Sequence, residues 1–216
     1  MSIRKVSFAF GEFYHLYNRG NSKQVIFHDD EDYSHFTKLI YLSNDKDNFN
    51  LRYVDENFYD QTDKNKLVNI GAYCLMPNHF HLLITQTEEG SISKFMQKLS
   101  TAYSMYYNKK YERTGSLFEG KFKSKHIPHD VYLKYLFSYI HLNPVKLIQK
   151  DWKDIGIKNK PQALIFLRDY KHSSYLDYLG IKRKENVILD TKSFPKYFPK
   201  AEKFQKEIFE WLSHKE

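Results

Sequence analysis

Gly71 to Thr85 reads GAYCLMPNHFHLLIT, two apolar runs meeting at Met76-Pro77-Asn78, and predicts two β-strands joined by a tight turn. Side chains alternate faces along a strand, so His79, His81 and Leu83 point one way while Phe80, Leu82 and Ile84 point the other. Two imidazoles therefore converge on one face while Phe80 anchors the strand in a core. Such a pair can hold a metal ion, but a lone His-x-His also describes two ordinary half-exposed strand histidines. A metal reading needs a further ligand and a nucleophile from elsewhere in the chain.

Upstream, Phe13 to Asn18 (FYHLYN) alternates as a first strand, and Arg19-Gly20-Asn21 breaks it. Arg19 at the strand end is either a solvated loop charge or a phosphate contact. Asp29-Asp30-Glu31-Asp32 precedes apolar residues at helical spacing (Tyr33, Phe36, Leu39, Ile40, Leu42), so these acids read as a helix cap, with the helix running to about Ser43. From 45 to 66 the periodicity fades into an acidic insertion, with a short strand expected over Asn48 to Val54. Six acids against four bases make that stretch a poor DNA surface.

Beyond the hairpin, Ser91 is placed to cap a second helix burying Ile92, Phe95, Met96, Leu99, Ala102, Tyr103 and Tyr106. A strand is expected over Lys121 to Ile127. Asp130 is placed to cap a helix ended by Asn143-Pro144, with Leu133, Leu136, Phe137 and Ile140 inward. This order is a split β-α-β unit, so the expected class is α+β, a ferredoxin-like antiparallel sheet with helices on one face. Residues 1–150 read as the catalytic domain and 151–216 as a C-terminal helical extension. The extension holds a short Tyr-rich helix within Asp169 to Gly180 and a terminal helix from Pro199 to Leu212, with Phe204, Ile208, Trp211 and Leu212 inward.

The 216 residues are 41% hydrophobic and 17% aromatic, enough for one good core. The formal charge is +8 and the pI about 9.2, which fits a polyanionic partner. Residues 94 to 126 carry eight bases against two acids. There Lys121, Lys123 and Lys125 share one strand face, which either protects a sheet edge or tracks phosphates, and the local charge excess favours the second reading. The single cysteine, Cys74, excludes an internal disulfide and a Cys-based zinc site. The basic N-terminus lacks the apolar run of a signal peptide and no window approaches a membrane span, so the expected setting is cytoplasmic, with the nucleoid.

Tyr139 and Asn143 lie four residues apart and stack on one helical face. A hydroxyl nucleophile and an amide oxygen presented together would complete what the histidines begin. Two imidazoles and one amide leave positions open on a hard divalent ion that must also hold phosphate oxygens. The chain has 18 tyrosines, and Tyr135, one turn earlier on the same face, competes with Tyr139 for the role.

Five stretches in order, YHLYNRGN (Tyr14 to Asn21), MPNHFHLLI (Met76 to Ile84), GSLFEGKFK (Gly115 to Lys123), YIHLNPV (Tyr139 to Val145) and DYKHSSYLDYLG (Asp169 to Gly180), resemble the REP-associated tyrosine transposases. These belong to the single-tyrosine HUH (His-hydrophobic-His) superfamily. The acidic insertion and His172, where relatives often carry tryptophan, depart from the pattern. The resemblance implies a ferredoxin-like domain that nicks and transfers single-stranded DNA near a hairpin with Mg2+ or Mn2+. On it, His79, His81 and Asn143 are metal ligands and Tyr139 forms a 5′-phosphotyrosine. Arg19, Lys121, Lys123 and Lys125 are DNA-contact candidates from the residues alone. A hairpin-binding protein without cleavage activity is the alternative on the same fold, and whether the chain acts as a monomer or a homodimer stays open.

Overall fold

The computed structural model describes residues 8–60, 64–197 and 200–210. Its first half runs β1 (Phe13–Arg19), α1 (Asp30–Ser43), β2 (Val68–Met76), β3 (His79–Gln86), α2 (Ser91–Lys110), β4 (Lys123–Ile127) and α3 (Asp130–Leu142). The sheet order is β2-β3-β1-β4 with every neighbouring pair antiparallel. This is the expected ferredoxin-like interleaving of two β-α-β units.

Helices cover both faces of the sheet, not one. Leu16, Phe80, Leu82 and Ile84 pack beneath α1 and α2 against Phe36, Ile40, Phe95 and Leu99. On the opposite face, Ala72, Cys74, Met76 and Leu83 meet Leu133, Leu136, Phe137 and Ile140 of α3. The cause lies in the hairpin itself: β2 is apolar at nearly every position, so both of its faces need cover. The α3 face carries the histidines.

Local signals set the ends of the helices with varying success. Asp29 caps α1 as expected, its side chain accepting from Asp32 N at 2.9 Å. The Lys110 ammonium at the end of α2 is held by Asp29, Glu31 and Asp32 together. At α2 the cap is Gly90, with φ of 76°, and Ser91 is the first helical residue, because glycine takes the left-handed turn out of the hairpin without strain. At α3 the cap is His129, whose ring accepts from Tyr132 N, and Asp130 begins the helix. Asn48 to Val54 is not a strand: Leu51–Tyr53 forms a 3-10 turn with Asn50 accepting from Arg52 N, and the four-stranded sheet does not include it. Lys121 falls before β4 instead of within it.

Two glycines are required by close approach. A Cβ at Gly20 would clash with Gln24 O, where the chain after β1 folds back so that Ile26 and Phe27 donate to Pro77 O in the hairpin turn. A Cβ at Gly71 would meet the Phe194 ring at 2.8 Å, at a register shift in β2. The C-terminal segment holds α4 (Trp152–Ile155), α5 (Lys160–Asp169), α6 (Tyr175–Tyr178) and α7 (Ala201–Glu210). Trp152, Leu167, Tyr175, Phe204 and Ile208 close around Leu142 and Val145 at the end of α3. Phe204 and Ile208 are thus inward as expected, while Pro199, Trp211 and Leu212 lie outside the described residues. No helix among the described residues is long and apolar enough to cross a membrane.

Candidate active site

Strand pairing builds the site. Arg19 pairs with His79 and Tyr17 with His81, while His15 sits one pair further along β1, so alternation puts all five side chains on the face that α3 covers. β4 adds Lys123 opposite Tyr17 and Lys125 opposite His15 on that same face. From above, α3 brings the Tyr139 ring to 5.5 Å from His81 and 6.2 Å from His15.

Hydrogen bonds engage Nδ1 of both His79 and His81, which leaves Nε2 of each as the candidate donor to a metal. His79 Nδ1 lies 2.6 Å from Asn78 Oδ1, an acceptor, so Nδ1 carries the proton and Nε2 the lone pair. His81 Nδ1 lies 2.9 Å from His15 Nε2, while His81 Nε2 is buried without a partner. Burial lowers the pKa of all three rings: His15 to about 3, with Lys153 and Lys125 adding to it, His79 to about 4, with Lys146 next, and His81 well below its ordinary value. At neutral pH all three are uncharged, the form that binds a metal.

Asn143 keeps α-helical angles (φ −53°, ψ −39°) as α3 passes into a 3-10 turn, so its i,i+4 stacking with Tyr139 survives the proline. The carboxamide interacts with both His79 and Tyr139, and its Oδ1 is buried without a partner. Buried polar atoms are normally satisfied. Two orphan lone pairs, His81 Nε2 and Asn143 Oδ1, beside the histidine and phenol are donors that a bound cation would satisfy. Among the described residues no three His, Cys, Asp or Glu side chains converge as a metal set; the available donors are imidazoles and an amide, a set that fits a divalent ion with open positions.

Burial raises the Tyr139 phenol to about 12, opposed by the adjacent Asn143 carboxamide. Its oxygen also accepts from Lys153 Nζ at 2.7 Å. Desolvation and the neighbouring Lys146 lower Lys153 to about 8, so it stays mostly cationic at neutral pH. Tyr135 stacks on Tyr139 with ring centroids 6.2 Å apart, and Tyr132 on Tyr135 at 5.9 Å, making an aromatic ladder along α3 beside the lysine strand. Lys125 Nζ lies 4.2 Å from the centroid of the Tyr132 ring.

Of the residues expected at the site, His79, His81, Asn143 and Tyr139 meet in one place, with Lys123 and Lys125 on the same face. Arg19 is there too, but its guanidinium is paired with Glu119 through Nε and Nη2. Lys121 lies outside the strand. Sequence reasoning passed over His15, Lys146 and Lys153. His15 shared the alternation of FYHLYN and only the β1-β3 pairing was needed to find it, whereas nothing in the sequence around Lys153 pointed to Tyr139.

A REP-associated tyrosine transposase solved bound to a REP hairpin has a similar fold, with a TM-score of 0.52 at 13% identity, the match covering 86% of this chain and 90% of that one. No curated protein matches the sequence. The IS200-like transposase model matches residues 13–143, from the start of β1 to Asn143. A family match over most of the chain, ending on the residue that closes this cluster, places the protein: it belongs to the IS200-like transposase family.

Proposed function

We propose that this transposase nicks and rejoins single-stranded DNA beside hairpins through a covalent 5′-phosphotyrosine on Tyr139. The observation that carries the reading is the meeting of the Tyr139 hydroxyl with two orphaned buried lone pairs, His81 Nε2 and Asn143 Oδ1, its ring 5.5 Å from that of His81. His79, His81 and Asn143 would hold Mg2+ or Mn2+. Bound there, the ion supplies Lewis-acid polarisation of the scissile phosphate.

The chain's own residues account for the rest. The sheet and α3 hold Tyr139 rigidly, so the hydroxyl meets the phosphate without a large ordering cost. Lys123 and Lys125 on β4, with Lys146 and Lys153 by the histidines, make the face cationic and suited to a phosphate backbone. Arg19, fixed by Glu119, presents a planar cation at the edge of this face. Lys121, at the entry to β4, extends the cationic track. Attack by the Tyr139 oxygen on phosphorus breaks the P–O3′ bond, leaving a free 3′-hydroxyl and a phosphotyrosine that conserves the bond for rejoining. The REP hairpin on the structural neighbour makes a hairpin-bearing strand the substrate to try.

The test is direct. Incubated with labelled hairpin-bearing single strands and Mg2+ or Mn2+, the chain should acquire a covalent label. Tyr139→Phe should abolish it, and Tyr135→Phe should leave it in place. An adduct that survives Tyr139→Phe but not Tyr135→Phe reassigns the nucleophile. Salt-dependent hairpin binding with no adduct under either metal makes the protein a binder without cleavage.

A further inference from the structure

We propose that Lys153, from the C-terminal segment beyond the family-matched residues, is a catalytic residue of strand transfer, its ammonium holding the negative charge that forms on the Tyr139 oxygen in both cleavage and rejoining. The inference rests on Tyr139 being the nucleophile and deepens that reading.

Three observations support it. Lys153 Nζ lies 2.7 Å from the Tyr139 hydroxyl oxygen, and that bond runs to a phenol instead of a carboxylate. The same ammonium lies 3.9 Å from the centroid of the Tyr139 ring, so it is fixed over the ring as well as bonded to its oxygen. The residue before it, Trp152, is buried in the C-terminal core and its ring packs on Tyr139 with centroids 6.3 Å apart. α4 is therefore clamped to α3 by Trp152, and Lys153 is positioned as a consequence of a packing contact. A lysine required only for solubility has no need of such a mount.

The chemistry gives the cation a role in each direction. In cleavage a lone pair on the Tyr139 oxygen forms the new O–P bond while the P–O3′ pair leaves on the 3′-oxygen. The phenolic proton passes to solvent, and the 3′-oxygen takes one up from solvent. In rejoining a 3′-hydroxyl attacks phosphorus, loses its proton to solvent, and the P–O bond to tyrosine breaks with its pair returning to the phenolic oxygen, which is then reprotonated from solvent. The Tyr139 oxygen is anionic in cleavage once its proton has left and before the O–P bond is complete, and again in rejoining as that bond breaks. A fixed cation against that atom lowers both barriers, because it is oriented before the reaction begins.

The experiment compares the full-length chain with Lys153→Met, Lys153→Arg and Tyr139→Phe, using a labelled hairpin-bearing strand and Mn2+. The rate of adduct formation is followed at saturating DNA and the affinity is measured separately. Loss of one preorganised donor to an oxyanion costs on the order of 100-fold, so Lys153→Met should slow adduct formation about that much. Its affinity for DNA should change far less, and Lys153→Arg should recover much of the rate. Purified adduct offered a 3′-hydroxyl strand should rejoin more slowly in Lys153→Met by a similar factor. A wild-type rate in Lys153→Met overturns the proposal, as does a defect that vanishes at saturating DNA, which would make Lys153 a phosphate contact. Absence of any adduct in the unmodified chain refutes the nucleophile reading itself, a different outcome.

Discussion

Replacing His15 with phenylalanine tests whether the buried histidine pair prepares the metal site. His15 is 7% and His81 6% exposed, and His81 Nδ1 meets His15 Nε2 at 2.9 Å. With a metal on Nε2, Nδ1 must carry the proton and donate it to His15. His15→Phe keeps most of the ring volume but removes the acceptor, leaving a buried N–H unsatisfied at a cost of about 1–3 kcal/mol. It also frees His81 to take the other tautomer, in which Nε2 is protonated and cannot ligate. Loss of such a partner typically weakens metal binding about 10–100-fold, equivalent to roughly 1.4–2.8 kcal/mol. The two estimates agree in size because both measure one buried hydrogen bond. Calorimetric titration with Mn2+ alone, beside a urea melt, reads both quantities. His15→Gln, which can still offer an acceptor, should retain most of the affinity. An unchanged Mn2+ affinity in folded His15→Phe, or equal losses in the Phe and Gln variants, would refute the reasoning.

Other consequences follow from particular contacts. His141 is fully buried, bonded to Phe137 O and Ser174 Oγ, and burial lowers it to about 3. Its folded pKa lies below the unfolded one, so the unfolded chain binds more protons between about pH 6.5 and 3 and stability falls as pH drops through that window. His141 alone should remove about 2 kcal/mol between pH 7 and 5, and urea melts of His141→Gln should show a correspondingly flatter pH dependence. Gly71→Ala forces a methyl against the Phe194 ring and should cost about 1–3 kcal/mol; in the Phe194→Ala background the added cost should shrink, and strict additivity in thermal melts would deny the contact. Lys123→Ala and Lys125→Ala should each reduce the magnitude of the salt slope of hairpin binding by about one. Lys94→Ala, on the helix across the sheet, should leave that slope unchanged.

Much of the half that carries the candidate site was legible because it is written in local periodicity. Alternation in MPNHFHLLI placed His79 and His81 on one strand face, and helical spacing stacked Tyr139 over Asn143, since both patterns follow from backbone geometry within a few residues. The Asp29 cap, the element order and the interleaved fold came from the same kind of signal. Expectations failed where a local preference competed with a neighbour: glycine took the cap from Ser91, and at Asn48 to Val54 the Asn50 side chain accepts from Arg52 N and holds a turn in place of a strand. The tertiary structure alone decided that β1 lies beside β3, which turns His15 from one aromatic among many into the partner of His81. It also decided that Glu119 holds Arg19 and that Lys153 meets Tyr139. These contacts join residues far apart in the chain or on separate elements, where backbone period carries no information and only the packing of side chains, here the burial of Trp152 against the end of α3, sets what touches what.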